Sequence, residues 1–128
     1  MGRSRYFKKT LSQYKEFMDV NQFLLTLLKE LAKLNFVKKV DLETEVCILK
    51  GKAILELDHF LQIYYNAETG TTAISLVKNE MRIWGIDFDN IRGWHVHPFG
   101  ESDIHKSVDH QNVNEIVNEL KKIWLKIS

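Results

Sequence analysis

KAILELDHFLQIYYNAETGTTAISLV, from Lys52 to Val77, carries the alternation that decides the fold. Its odd positions Leu55, Leu57, His59, Leu61, Ile63 and Tyr65 share one face of an unbroken strand. A bulge near Asp58 and His59 would reset that register. NAETG then reads as a hairpin loop in which Gly70 supplies a positive φ, and TTAISLV as the returning strand. Upstream, DLETEVCIL (41–49) is a strand that leads into a Lys50–Gly51 turn. Downstream, Lys78-Asn79-Glu80 is a short turn, MRIWGIDF (81–88) a strand, and GWHVHPF (93–99) another. Residues 40–99 are therefore expected to form an antiparallel meander of about four to six strands.

Helices flank this region. In DVNQFLLTLLKELAKLN (19–35), Phe23, Leu24, Leu27, Leu28, Leu31 and Leu34 recur at steps of three and four. Asp19 or Asn21 can cap the start, and Asn35 can end the helix in a left-handed turn. KKTLSQYKEFM ahead of it could add a helical turn or two. A C-terminal helix is expected over 107–127, with Val113, Ile116, Val117, Leu120, Ile123, Trp124 and Ile127 on one face and Ser107 or Asp109 as the cap. The fold class is α+β: one antiparallel meander packed with an N-terminal and a C-terminal amphipathic helix, in a single domain over 1–128.

Composition narrows the functional classes. With 128 residues, 45% hydrophobic and 27% charged, the chain has the make-up of a folded domain, not a disordered one. The lone Cys47 cannot form an internal disulfide and reads as a buried structural thiol. No apolar run approaches the roughly 20 residues of a membrane span, and no apolar signal core opens the chain, so the expected location is the cytoplasm, with no membrane partner. Net charge is only +1, yet Arg3, Arg5, Lys8, Lys9 and Lys15 all precede the first acidic residue. This basic arm (1–18) can touch phosphates, with Lys8 and Lys9 as binding candidates, or can be a solvated terminus.

Four of the five histidines, His95, His97, His105 and His110, fall within 16 residues. In a strand, Trp94 and Val96 point one way, and His95 and His97 point the other, about 7 Å apart. Pro98 then ends the strand and Gly100 allows a sharp exit. Two chemistries suit such a pair. As ligands, both imidazoles hold zinc or another divalent metal, with His105, Asp109, Asp103 or His59 as the third donor and one position open for water. As an acid–base pair, they cleave RNA directly, with Arg82, Arg92, Lys106 or the basic arm steadying phosphate. Plain structural hydrogen bonding is the alternative to both. His110 is expected to face solvent in the first turn of the C-terminal helix.

The carboxylates Asp87, Asp89, Glu101 and Asp103 crowd the approach. Asp89 and Asn90 read as turn formers, and an acid beside a histidine would fix its tautomer. Trp84 and Trp94 read as packing residues.

Two resemblances attach to these residues. His95-Val96-His97-Pro98, followed by Ser107 and Asp109, resembles the zinc motif of the JAMM metalloproteases. It implies a metal-dependent hydrolase using His95, His97 and Asp109, although Asp109 stands one residue farther from His97 than that family's usual spacing. Over roughly 50–110, MRIWGIDFDN followed by GWHVHPF and His105 resembles the TumE toxins of prokaryotic toxin–antitoxin pairs, with Arg82, Asp89, Asn90, His95, His97 and His105 at the matching positions. That resemblance implies a growth-inhibiting toxin with a cognate antitoxin, often a helix-turn-helix protein. RNA is the most economical target. A non-enzymatic module that docks a partner is the third reading. Its basis is the leucine-rich helix, whose uncovered part would predict a homodimer or a tight antitoxin complex.

Overall fold

A computed structural model describes residues 17–101 and 103–128 of the chain. The basic residues up to Lys15, including Lys8 and Lys9, and most of KKTLSQYKEFM lie outside the described residues. The first helix, α1, spans Val20–Leu31, and Asp19 caps it by accepting the Gln22 amide at 2.8 Å. It ends at Ala32, short of Asn35. Leu34 and Phe36 turn into the core just beyond it, which takes the chain out of helical geometry.

Seven strands follow in one antiparallel sheet, ordered as in the sequence: β1 (Val37–Glu45), β2 (Ile48–Leu55), β3 (His59–Asn66), β4 (Thr72–Lys78), β5 (Met81–Asp89), β6 (Gly93–His97) and β7 (Lys106–Ser107). The strand count exceeds the expected four to six for two reasons. KAILELDHFLQIYY is not one bulged strand but β2 and β3, joined at Leu57 and Asp58, both at positive φ. The short β7 pairs with His95 and Val96, in a stretch expected to start the last helix. Sheet structure also begins at Val37, not Val40.

The first hairpin turns at Val46 and Cys47, not at Lys50 and Gly51, which lie within β2. Cys47 is accordingly half-buried in a turn, its Sγ 3.7 Å from Asn66 Oδ1, and not a core thiol. Gly51 serves another purpose. It faces Leu42 across the ladder at φ 151°, and a Cβ there would lie 2.1 Å from the Asp41 carbonyl oxygen. Gly51→Ala is therefore expected to cost at least about 2 kcal/mol, because the obstruction is backbone. Urea denaturation checks this; a loss under about 0.5 kcal/mol would mean that β1 and β2 are not this close. Gly70, at φ 76°, closes the β3–β4 hairpin as its sequence suggests.

The last helix, α2, spans Val113–Ile127. Neither Ser107 nor Asp109 caps it. Asn112 does, in a reciprocal capping box with Glu115 that satisfies two amides at once. Both helices contribute to a single apolar cluster with one face of the sheet: Phe23, Leu27 and Leu31 from α1, Ile116, Leu120 and Trp124 from α2, and Leu49, Leu61, Ile63, Leu76, Trp84 and Ile86 from the strands. Phe36 stacks on Trp124 at 4.4 Å, and Phe23 on Tyr65 at 3.9 Å. The leucine stripe of α1 is mostly covered, with Leu28 partly and Leu25 largely exposed. The opposite sheet face carries mostly polar and small side chains over its middle, among them Lys50, Lys52, Gln62, Ala73 and Ser75, with Ile54, Phe60 and Tyr64 beside them. Among the described residues, no helix is long and apolar enough to cross a membrane.

Candidate metal centre

The β5–β6 hairpin sets the site. Its turn is held by Asp89, whose Oδ1 accepts the amides of Ile91 and Arg92 at 2.9 and 2.7 Å. The Arg92 side chain closes on Oδ2 at 3.1 to 3.2 Å. The Arg92 amide, then that of Ile91 and the guanidinium, hold the Asp89 carboxyl below its ordinary range against a smaller effect of burial. Asn90 donates to the Thr69 carbonyl at 3.1 Å, tying this turn to the neighbouring hairpin. Asp89 thus acts as the turn former, while the Asn90 side chain ties the turn to its neighbour.

The turn fixes the register. Trp94 meets Phe88 and Val96 meets Ile86 on the core face, while His95 meets Asp87 and His97 meets Gly85 on the other. His95 and His97 are not an open rim, however. They are only 3% and 2% exposed, and their rings are 5.4 Å apart. Beyond Pro98 the chain folds back and sets the exposed His105 against them, its ring 4.3 Å from that of His97 and 5.6 Å from that of His95. One potential donor atom from each of the three histidines lies within 4.8 Å of the others. Tetrahedral zinc with bonds near 2.0–2.1 Å requires about 3.4 Å between donors, so this group would need to close inward somewhat around an ion.

Asp87 completes the cluster. Its Oδ2 accepts from His97 Nε2 at 3.0 Å and lies 3.5 Å from His95 Nε2. His95 Nδ1 lies 3.1 Å from the Gly93 carbonyl, which can only accept, so that nitrogen carries the hydrogen. In the neutral ring, Nε2 is then a bare lone pair. It is buried without a hydrogen-bond partner, as is Asp87 Oδ1. This nitrogen faces Asp87 Oδ2 at 3.5 Å, where either a proton on Nε2 or a bound metal ion would satisfy it. Desolvation first, then the electrostatic influence of the neighbouring imidazoles and of Arg92 and Arg82, lowers the His105 pKa and favours the neutral form that binds metals.

Arg82 reaches this side through an irregularity in the ladder. Leu76 pairs with Trp84 and Val77 with Arg82, leaving Ile83 as the extra residue. The Arg82 stem passes 3.1 Å from where a Cβ on Gly85 would stand, beside His97. Other candidates are placed elsewhere. The group of donors that meet includes His105 and neither Asp109 nor Asp103, both of which are exposed. His59 belongs to the core, bonded to the Leu57 carbonyl at 2.8 Å and set edge-on to Trp124. His110 is exposed as expected but precedes α2, edge-on to Trp94 at 5.5 Å. Trp94 also borders an apolar cavity of about 160 Å³ on the helical side of the sheet, with Phe23, Tyr65 and Phe88. Asp87 was one of four nearby carboxylates in the sequence; counting back from the Asp89–Arg92 turn places it opposite His95 and singles it out.

Comparisons with family models, with curated proteins and with solved structures return no match for this chain.

Proposed function

We propose that the protein is a metal-dependent hydrolase of phosphodiester bonds, acting as a TumE-like growth-inhibiting toxin on RNA in the cytoplasm and held in check by a cognate antitoxin. One observation carries the catalytic part: three imidazoles converge beside the half-buried Asp87 carboxylate, and the buried Nε2 of His95 makes no hydrogen bond. Burial favours ligands over an acid–base pair, because His95 and His97 cannot themselves meet a polymer. An ion between them and the exposed His105 can. Imidazole donors suit zinc, which would lower the pKa of a bound water and polarise a phosphoryl oxygen. Asp87 orients His97 in the manner of a carboxylate–histidine–metal relay. Arg82 and Arg92 supply positive charge next to His105, where a phosphate would approach. The donor set favours this reading over the JAMM ligand set, which needs Asp109.

Induced expression is expected to stop growth and shorten cellular RNA, and His97→Ala to abolish both. Purified zinc-loaded protein should cleave RNA and the chelated protein should not. Cleavage that survives chelation would return the chemistry to the histidines as acid and base. Growth arrest with RNA intact, in cells and with the loaded protein, would exclude RNA as the target and favour the partner-binding module.

A further inference from the structure

We infer that the helix-free sheet face beside the histidines is a binding track for a single strand of nucleic acid, leading it across β2–β5 into the cluster; this rests on the phosphodiester reading above. The ladder sets two rows across this face. One runs Glu43, Lys50, Tyr64, Ala73, Asp87, His95, and the other Asp41, Lys52, Gln62, Ser75, Gly85, His97. Directly paired side chains on one face are immediate neighbours, about 4.5–5.5 Å apart at Cβ. The middle of both rows is therefore a trough of the smallest residues, Ala73 and Ser75, with Gly85 beyond them covered by the Arg82 stem. Tyr64 and Gln62 wall it on one side and Asp87 with the histidines on the other. Strand spacing puts Tyr64 about 14 Å from His95.

The walls suit a strand of nucleotides. Lys50 and Lys52 are exposed and flank Tyr64 and Gln62. They border a shallow concavity of about 560 Å³ that Tyr64, Gln62, Asp41 and Glu43 also line. The Lys52 ammonium covers the Phe60 ring at 4.5 Å, which leaves half-buried Tyr64 as the ring for a base. Lys50 is barely engaged, 4.0 Å from the exposed Glu43. Arg82 stands at the other end, over Gly85 and beside His97. Cations thus bracket a flat-floored trough next to an aromatic ring, the combination that binds unpaired strands through phosphate charge and stacking. A duplex is too stiff and too broad to seat its bases there, and open sheets read bases that are splayed out. Asp41 and Glu43, at the β1 edge, would repel phosphate and so confine the strand to the inner rows.

The test is binding of a fluorescein-labelled 12-nucleotide single-stranded RNA to the chelated full-length protein, followed by anisotropy so that cleavage does not interfere. Tyr64→Ala is expected to weaken binding about five- to hundredfold and Tyr64→Phe to leave it unchanged. Lys50→Ala with Lys52→Ala, both at exposed positions, should lower the slope of log K against log salt by about 1.4, two phosphate contacts at about 0.7 each. Single strands, of RNA or of DNA with the same sequence, should bind more tightly than the duplex. Unchanged affinity and salt slope in both variants, no binding by the wild type, or a preference for duplex would overturn the track. The two readings fail separately. Binding by the chelated protein without cleavage by the loaded one sinks the hydrolase and keeps the track. Cleavage with a KM unmoved by these variants sinks the track and keeps the hydrolase.

Discussion

Protein purified without chelators is expected to carry about one divalent ion per chain, zinc in a zinc-replete preparation, and to lose it in His97→Ala. The proposed metal site predicts this result from three nitrogen donors within 4.8 Å of one another, two of them on buried rings. Because the ion binds only the folded arrangement, zinc at about a hundred times its Kd should add about 2.7 kcal/mol to the apo-protein, roughly 10 °C in Tm. His97→Ala should show neither the ion nor the shift. Asp87→Asn keeps an acceptor for His97 but removes the charge, so it should bind zinc about 10- to 100-fold more weakly. Asp109→Ala and His110→Ala, at exposed positions outside the donor group, should bind like the wild type. Elemental analysis and thermal melts read all of these. A chain that takes up no ion after reconstitution with zinc has no metal centre, whatever the histidines do instead.

Trp84→Ala is expected to cost about 3–5 kcal/mol, a large part of the roughly 5–15 kcal/mol that holds a domain together. Trp84 is only 2% exposed, lies opposite Leu76 on the core face of β5, and belongs to the cluster that both helices complete. Truncating it leaves a void that close-packed neighbours fill only in part. Trp94 lies on the same sheet face but is half-buried at the edge of the cluster, so Trp94→Ala should cost less. Urea denaturation gives both values. A Trp84→Ala loss under about 1 kcal/mol would mean that β5 presents its other face to the helices, which would also turn Asp87 away from the histidines.

Strand periodicity determined much of this by itself. A period of two forces Trp94 and Val96 to one face and His95 and His97 to the other, in whatever fold β6 sits. The same logic put His59 on the face of Leu61, Ile63 and Tyr65, and there it packs, against Trp124 and away from the site. Helix periodicity found both apolar stripes, since amphipathic spacing records the burial that the helix will make. Local signals also marked Asp19 as a cap and Asp89 as a turn former, because each acts on amides two or three residues away.

Only the tertiary structure decided what depends on distant pairing. Val46 and Leu57 turn the chain at positive φ with no Asn-Gly signal to announce it, and Gly51 imitates a turn while lying mid-strand. There the ladder registers of the neighbouring strands outweigh local preference. The third histidine is the sharpest case. The sequence offered His105, Asp109, Asp103 and His59 as third donor, and the TumE resemblance pointed to His105; the return of the chain after Pro98, with Lys106 and Ser107 pairing to β6, sets His105 beside the other two. Asp87 lies eight residues before His95, and the antiparallel register alone brings its carboxylate to the imidazoles. A sequence states which face a side chain takes, because that follows from the residue's own backbone. Which side chains meet there depends on strand register and loop path, fixed by contacts among residues far apart in the chain.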